Sequence, residues 1–219
     1  MLKSMNFTSY DEMGTHTLNV QTEYTDLNTG RTKLSNLRTS IEGFSNIQYY
    51  CKTNVLKNTS ENVSHMLKSY VKDDENTIYP INVDEFNLRI SYQNEKKLNK
   101  NSPMIKSLVA NWGDTKKTFR LINRVSYTHP SYPFRVDISV VKMSIKNKRG
   151  GMIPVYKIED SNVFSSQEIY EIELELDNKL ITPYYDYSTP EGLEKSMKQM
   201  IKIIMSGHQN SKYPITYPE

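Results

Sequence analysis

The chain has 219 residues, a net charge of +3 from 28 basic and 25 acidic side chains, 37% hydrophobic residues and 16 tyrosines. That length suits one domain with one sizeable core, the charge is too small to mark a nucleic-acid binder by bulk electrostatics, and the composition excludes disorder throughout. The single cysteine, Cys51, excludes an internal disulfide and fits a reducing compartment; Cys51 itself reads as a half-buried helix residue.

In chain order, loose alternation between 15 and 41 predicts two early strands about the turn signal Asn28-Thr29-Gly30. Over 43–54 and 60–71, apolar residues recur at three- and four-residue spacing (Phe44, Ile47, Tyr50, Cys51; Val63, Met66, Leu67, Tyr70), which predicts two amphipathic helices. From 85 to 93 the period drops to two, with Phe86, Leu88, Ile90 and Tyr92 on one face and Glu85, Asn87, Arg89, Ser91 and Gln93 on the other. The stretch 94–117 reads as a connection holding a short strand or turn, with turn signals at Asn101-Ser102-Pro103 and Asn111-Trp112-Gly113-Asp114. Strands at 118–127 and 134–144 form a hairpin around Pro130, and Lys146-Asn147-Lys148-Arg149-Gly150-Gly151 is a basic turn, read as a solvated loop. A further strand at 167–177 and a Tyr- and Pro-rich loop precede a helix at 190–206. Thr189 and Pro190 open that helix, and Leu193, Met197, Met200, Ile201 and Ile204 form its buried stripe. An extended tail is expected from 207. No leader-like start and no run near the roughly 18 apolar residues of a membrane span is found, so a cytosolic protein without a membrane partner is expected.

Long antiparallel strands with few helices predict one α+β domain over 1–219, an antiparallel β-barrel or strongly curved sheet with packed helices. The strongest chemical signal is Tyr170-Glu171-Ile172-Glu173-Leu174-Glu175-Leu176, where alternation stacks three carboxylates on one face about 7 Å apart. Stacked like charges repel and need compensation, either from a divalent cation held by oxygen ligands or from basic side chains facing them across a barrel. Three other strands supply polar rows: Arg120, Arg124 and Ser126; Arg135, Asp137 and Ser139; and Arg89 among Glu85, Asn87 and Ser91. Periodicity leaves open whether these faces point inward or outward. His16, His65, His129 and His208 have no carboxylate or nucleophile at motif spacing and read as surface or loop residues, while Trp112 and Tyr184, Tyr185 and Tyr187 read as packing groups.

Arg124-Val125-Ser126, then Tyr132-Pro133-Phe134-Arg135-Val136-Asp137-Ile138-Ser139-Val140-Val141-Lys142, then Tyr170 to Glu175, resembles the ordered motifs of the triphosphate tunnel family, in particular the RNA 5′-triphosphatase domain of large-DNA-virus mRNA capping enzymes. The likeness spans about 84–205. It implies a tunnel-type barrel and removal of the γ-phosphate from triphosphate-ended RNA with manganese or magnesium. Glu173 and Glu175 would bind the metal, Glu171 would orient water or a neighbouring base, and Arg124 and Arg135 would hold the triphosphate. Asp137 would position an arginine, with Arg89, Arg120, Ser139 and Lys142 as further substrate contacts. The implied partners are 5′-triphosphate RNA and other capping domains or subunits, in the host cytoplasm, a viral factory or the virion. Alternatives are a tunnel phosphatase for inorganic triphosphate or nucleotides, and a non-catalytic module for RNA binding or assembly.

The chain departs from the family pattern at three points. The family's first strand carries a Glu-x-Glu pair, whereas Glu12, Glu23 and Glu42 are isolated here and the nearest form is Glu85-Phe86-Asn87; the expectation is that this strand lies upstream of Met1 or is lost. Ile122 stands where a lysine commonly precedes the tunnel arginine by two residues. The Lys-x-Asp-Gly motif of a guanylyltransferase is absent.

Overall fold

The computed structural model describes residues 2–9, 11–177 and 189–211; the tyrosine cluster at 184–187 and the end of the tail lie outside them. The main sheet is built from β1 (Thr15–Thr25), β2 (Thr32–Glu42), β3 (Val63–Tyr70), β8 (Gln93–Lys97), β9 (Lys117–Thr128), β10 (Phe134–Met143) and β11 (Ile169–Leu176). Its order is β11-β10-β9-β1-β2-β3-β8, and every pairing is antiparallel. Between β3 and β8, two small hairpins project: β4 (Lys72–Asp73) with β5 (Asn76–Thr77), and β6 (Ile81–Val83) with β7 (Leu88–Ile90). Among the described residues three helices complete the α+β architecture: α1 (Phe44–Thr53), α2 (Pro103–Ala110) and α3 (Pro190–His208).

The long strands are mainly apolar on one side, and the sheet buries most of that face, leaving Ile138, Ile172 and Leu176 exposed toward the β11 edge. Leu18 and Val20 of β1, Ile41 of β2, Val63 of β3 and Phe119 of β9 meet Ile47 and Tyr50 of α1, with Trp112, Ile158 and Val163 closing the cluster. Toward the other edge, Phe134 and Val136 of β10 pack with Phe7 and with Met200 and Ile203 of α3. Each such large apolar side chain contributes about 1.5–3 kcal/mol when fully buried. Among the described residues no helix is long and apolar enough to cross a membrane.

The sheet curls into a half-barrel. β2 and β11 stand four places apart, about 19 Å in a flat sheet, yet the charges of Arg38 on β2 and Glu173 on β11 act on one another. Glu95 on the β8 edge likewise feels Arg124 on β9. β8 and β11 are the two edges, and the described residues show no pairing between them.

Four sequence expectations are corrected. The helix expected over 60–71 is β3: Val63, His65 and Leu67 alternate with Ser64, Met66 and Lys68, and pairing with β2 uses that period of two. His65, read as a surface residue, is 1% exposed, with Nε2 donating to Asn58 Oδ1 at 2.7 Å and Nδ1 accepting from Thr39 Oγ1 at 3.0 Å. The strand expected at 85–93 is broken by a 3-10 turn at Asp84–Phe86 and by Asn87 at φ 48°, leaving only the three-residue β7. The connection at 94–117 contains most of β8 and all of α2, whose N-cap is Ser102 with Pro103 in its first turn, so the supposed turn signal starts a helix. Cys51 is half-buried on α1, as expected.

Candidate functional site: an ion-lined groove

Residues directly paired across antiparallel strands point to the same side of a sheet. The register therefore sorts the polar face without ambiguity. On β11, Glu171, Glu173 and Glu175 lie opposite Ser139, Asp137 and Arg135 of β10. Ser139 and Asp137 in turn lie opposite Arg124 and Ser126 of β9. Arg120, Ile122 and Arg124 of β9 face Asn19, Thr17 and Thr15 of β1, and Asn19 and Gln21 face Ser40 and Arg38 of β2. Met66 and Lys68 of β3 and Glu95 of β8 finish the row. This face lines the hollow of the curl, opposite the two apolar clusters.

Three rungs of opposite charge span β9 to β11. Arg120 pairs with Glu171, Arg124 with Glu173, and Arg135 with Glu175. Asp137 ties two rungs together. Its side chain is fully buried, its Oδ2 accepts from Arg124 Nη1 at 3.0 Å and from Arg135 Nη2 at 3.0 Å, and its Oδ1 accepts from Arg135 Nε at 2.8 Å. Arg124 Nε also donates to Ser139 Oγ at 3.0 Å, so that guanidinium is fixed on three sides. Hydrogen bonding to Asp137, with the charges of Asp137 and Glu175, raises the pKa of Arg135 against the cost of burial.

Glu175 keeps 47% of its side chain open to solvent, yet burial raises its carboxyl pKa in spite of Arg135. A group that touches water while surrounded by protein sits in a concavity, which agrees with the curl. Across the groove, burial opposes ionisation of Glu95, but its hydrogen bond to Lys68 and the charges of Lys68, Arg38 and Arg124 outweigh it and lower the pKa.

One oxygen each from Asp137, Glu173 and Glu175 lies within 4.8 Å of the others, close enough for this group to hold a metal ion. Of the three, only Asp137 is buried; Glu173 is half-buried and Glu175 exposed. Three hard carboxylate oxygens are the donor set of a small divalent cation such as Mg²⁺ or Mn²⁺. Arg124 and Arg135 compete with a cation for the same oxygens.

Eight of the ten sequence candidates thus share the groove: Arg120, Arg124, Arg135, Asp137, Ser139, Glu171, Glu173 and Glu175. The other two lie elsewhere. Lys142 has the opposite parity on β10, and its Nζ donates to the Phe164 carbonyl at 3.2 Å and lies 3.5 Å from Glu168. Arg89 is exposed on β7, opposite Asn82 in the small hairpin. The groove face of β1 offers Thr15, Thr17, Asn19 and Gln21, and beyond the bulge a single carboxylate, Glu23, rather than a Glu-x-Glu pair.

Sequence reading missed Arg38, Lys68 and Glu95, which bring both signs of charge to the far wall. Arg38 is the only charged residue between Leu34 and Ile41, and no short motif marks it. Its signal is the strand register, which requires the β1 and β3 pairings to be known. No protein-family model matches the chain, and no curated protein matches it in sequence.

Proposed function

We propose that the groove binds the triphosphate end of an RNA and, with a divalent cation, hydrolyses its γ-phosphate. The supporting observation is one carboxylate trio, Asp137, Glu173 and Glu175, set inside a ladder of arginines on rigid strands. The half-barrel groove stands in this reading for the closed tunnel of the resembling family. Capping of viral mRNA in the host cytoplasm, beside other capping domains, belongs to the same proposal.

A bound divalent cation supplies Lewis-acid polarisation of a phosphoryl oxygen. Arg124 and Arg135 bind phosphate oxygens through planar forks that stay charged throughout and spread the negative charge of the transferring group. Asp137 keeps both forks aimed. Glu171 lies one rung away and accepts a hydrogen bond from the attacking water, whose oxygen bonds to the γ-phosphorus as the bond to the bridging oxygen breaks. The products are a diphosphate end and inorganic phosphate.

A second reading, a binding module without hydrolysis, draws on the lack of a Glu-x-Glu pair on the groove face of β1 and on the guanidiniums already paired with each member of the trio. One assay separates the two. Phosphate release from γ-labelled triphosphate-ended RNA is measured with Mn²⁺ or Mg²⁺, with chelator, and in Glu173→Gln. The enzyme reading expects release that needs metal and falls by roughly 100-fold or more in the variant. Retention of labelled RNA by folded protein without release leaves the binding module.

A further inference from the structure

The three arginines of the ladder are each bound to a glutamate, but the groove holds a fourth of different standing. Arg38, on β2, makes no hydrogen bond or ion pair among the described residues, and its Nε is closed off from solvent without an acceptor. Its neighbour in charge, Glu95, is taken by Lys68. Arg38 also lies within electrostatic reach of Arg120 and Arg124, two further cations. Glu95 and Glu173 favour the Arg38 charge, but the first is held by Lys68 and the second by Arg124, so among the described residues the Arg38 guanidinium has anions nearby and none bound directly to it.

Across the hollow, Arg120 shows the same feature: its Nη2 holds Glu171, but its Nε is buried without an acceptor. The register puts both on one patch of floor. Arg120 is opposite Asn19, and Arg38 is opposite Gln21, the next groove-facing residue of β1. β1 is the one strand between β9 and β2, so the two arginines rise from either side of a floor of uncharged polar side chains. Two guanidiniums flanking a floor whose nearest side chains, Asn19 and Gln21, are uncharged form a receptor for tetrahedral oxyanions, because the donors of each that no carboxylate takes can meet phosphate oxygens.

We propose that Arg38 is a substrate-binding residue which, together with Arg120, grips a phosphoryl group of the bound polyphosphate at the β1–β2 side of the groove, away from the Asp137, Glu173 and Glu175 trio. The inference rests on the triphosphate reading of the groove but does not require hydrolysis. It gives the polyphosphate an orientation, with one end at the carboxylate trio and the other over Asn19 and Gln21. It also makes Arg38 on β2 a contribution of the early strands to the site.

Calorimetric titration of the whole chain with inorganic tripolyphosphate, in chelator so that no turnover occurs, tests it. Arg38→Gln is expected to weaken binding by ~10- to 100-fold, the loss of one charge-assisted contact, and Arg38→Lys to recover part of it. Glu95→Gln is expected to bind as tightly as wild type or tighter, since it removes an anion that competes for Arg38. Lys52→Gln, on the last turn of α1 behind the sheet, is expected to leave affinity unchanged. Melting curves of the same variants separate binding from a counter-ion role for Glu95. Affinity of Arg38→Gln within about two-fold of wild type, a lowered melting temperature with affinity intact, an equal loss in Lys52→Gln, or no binding by wild type each overturns the inference. The parent reading is judged apart from it by γ-phosphate release. Binding through Arg38 without release removes the hydrolase and keeps Arg38, whereas release by Arg38→Gln with an unchanged KM keeps the hydrolase and removes Arg38.

Discussion

Asp137 has no contact with solvent, and three guanidinium hydrogen bonds converge on its two oxygens. Exchanging it for asparagine keeps the shape but leaves Arg124 and Arg135 facing each other with one anion fewer. Asp137→Asn is therefore expected to cost roughly 3 kcal/mol, against about 1 kcal/mol for Ser139→Ala, which removes a single bond from Arg124 Nε. Urea unfolding measures both, and a loss below about 1 kcal/mol for Asp137→Asn would mean that the ladder does not depend on its central anion. His65 gives a prediction in pH. Burial first, and then the charge of Lys100, lower its pKa from 6.5 to about 4. Between those values the unfolded chain takes up a proton that the folded chain refuses. The contribution of His65 is thus complete above pH 6.5 and is lost as pH falls toward 4, at up to about 1.4 kcal/mol per pH unit. Subtracting the stability–pH curve of His65→Gln from that of wild type isolates it; a flat difference across this window rules the coupling out.

Among the elements, β1 enters the sheet through Gly14, whose φ of +80° is costly for any residue with a side chain. A Cβ there would also lie 2.5 Å from Asn123 Oδ1 and 3.1 Å from the Arg124 carbonyl, where β1 closes on β9. Gly14→Ala is expected to destabilise by about 1–3 kcal/mol and to lower anion affinity by shifting Arg124, whereas Gly30→Ala, with open space about its Cβ, carries only the φ cost. Equal effects from the two would show that the approach to β9 is not tight. The same elements explain what was legible in sequence. β9, β10, β11 and α3 were, because each keeps one period over most of its length, although Asn123 interrupts the stripe of β9 and Ile172 and Leu176 of β11 stay exposed. β3 was not, because Val63, Met66, Leu67 and Tyr70 fit helical spacing, and its strand period appears only when His65 counts as an interior residue. The run at 85–93 failed in the other direction: its alternation is real, but Asn87 in a left-handed conformation cuts it, and no sheet face waits to bury it. Eight groove residues were found because they alternate on strands next to one another. Arg38 and Glu95 were not, since their place depends on the curl, which brings together strands distant in sequence.

At the scale of the whole molecule, the groove is a balance of charge. By register this face carries Arg38, Lys68, Lys97, Arg120, Arg124 and Arg135 against Glu23, Glu42, Glu95, Asp137, Glu171, Glu173 and Glu175, six cations to seven carboxylates. A groove so nearly balanced has little net pull on a highly charged anion, because phosphate must compete with the carboxylates already on Arg120, Arg124 and Arg135. A divalent cation at Asp137, Glu173 and Glu175 would change that sum: it would draw the two glutamates away from Arg124 and Arg135, leave Asp137 to aim both forks at phosphate, and add two positive charges to the groove. Metal and polyphosphate should therefore bind with positive coupling, each tighter in the presence of the other. Because a ligand of the folded state alone stabilises it by mass action, Mn²⁺ at roughly 100 times its Kd should add about 2.7 kcal/mol, which is about 5–10 °C in a domain of this size. Tripolyphosphate should raise the melting temperature further when metal is present than when it is absent. Glu173→Gln should lose the metal shift and with it the coupling, while Arg38→Gln should keep the metal shift and lose most of the polyphosphate shift. If Mn²⁺ leaves the melting temperature of wild type unchanged, the arginines hold the carboxylates against the metal, and the groove is an internal salt-bridge network rather than a metal site.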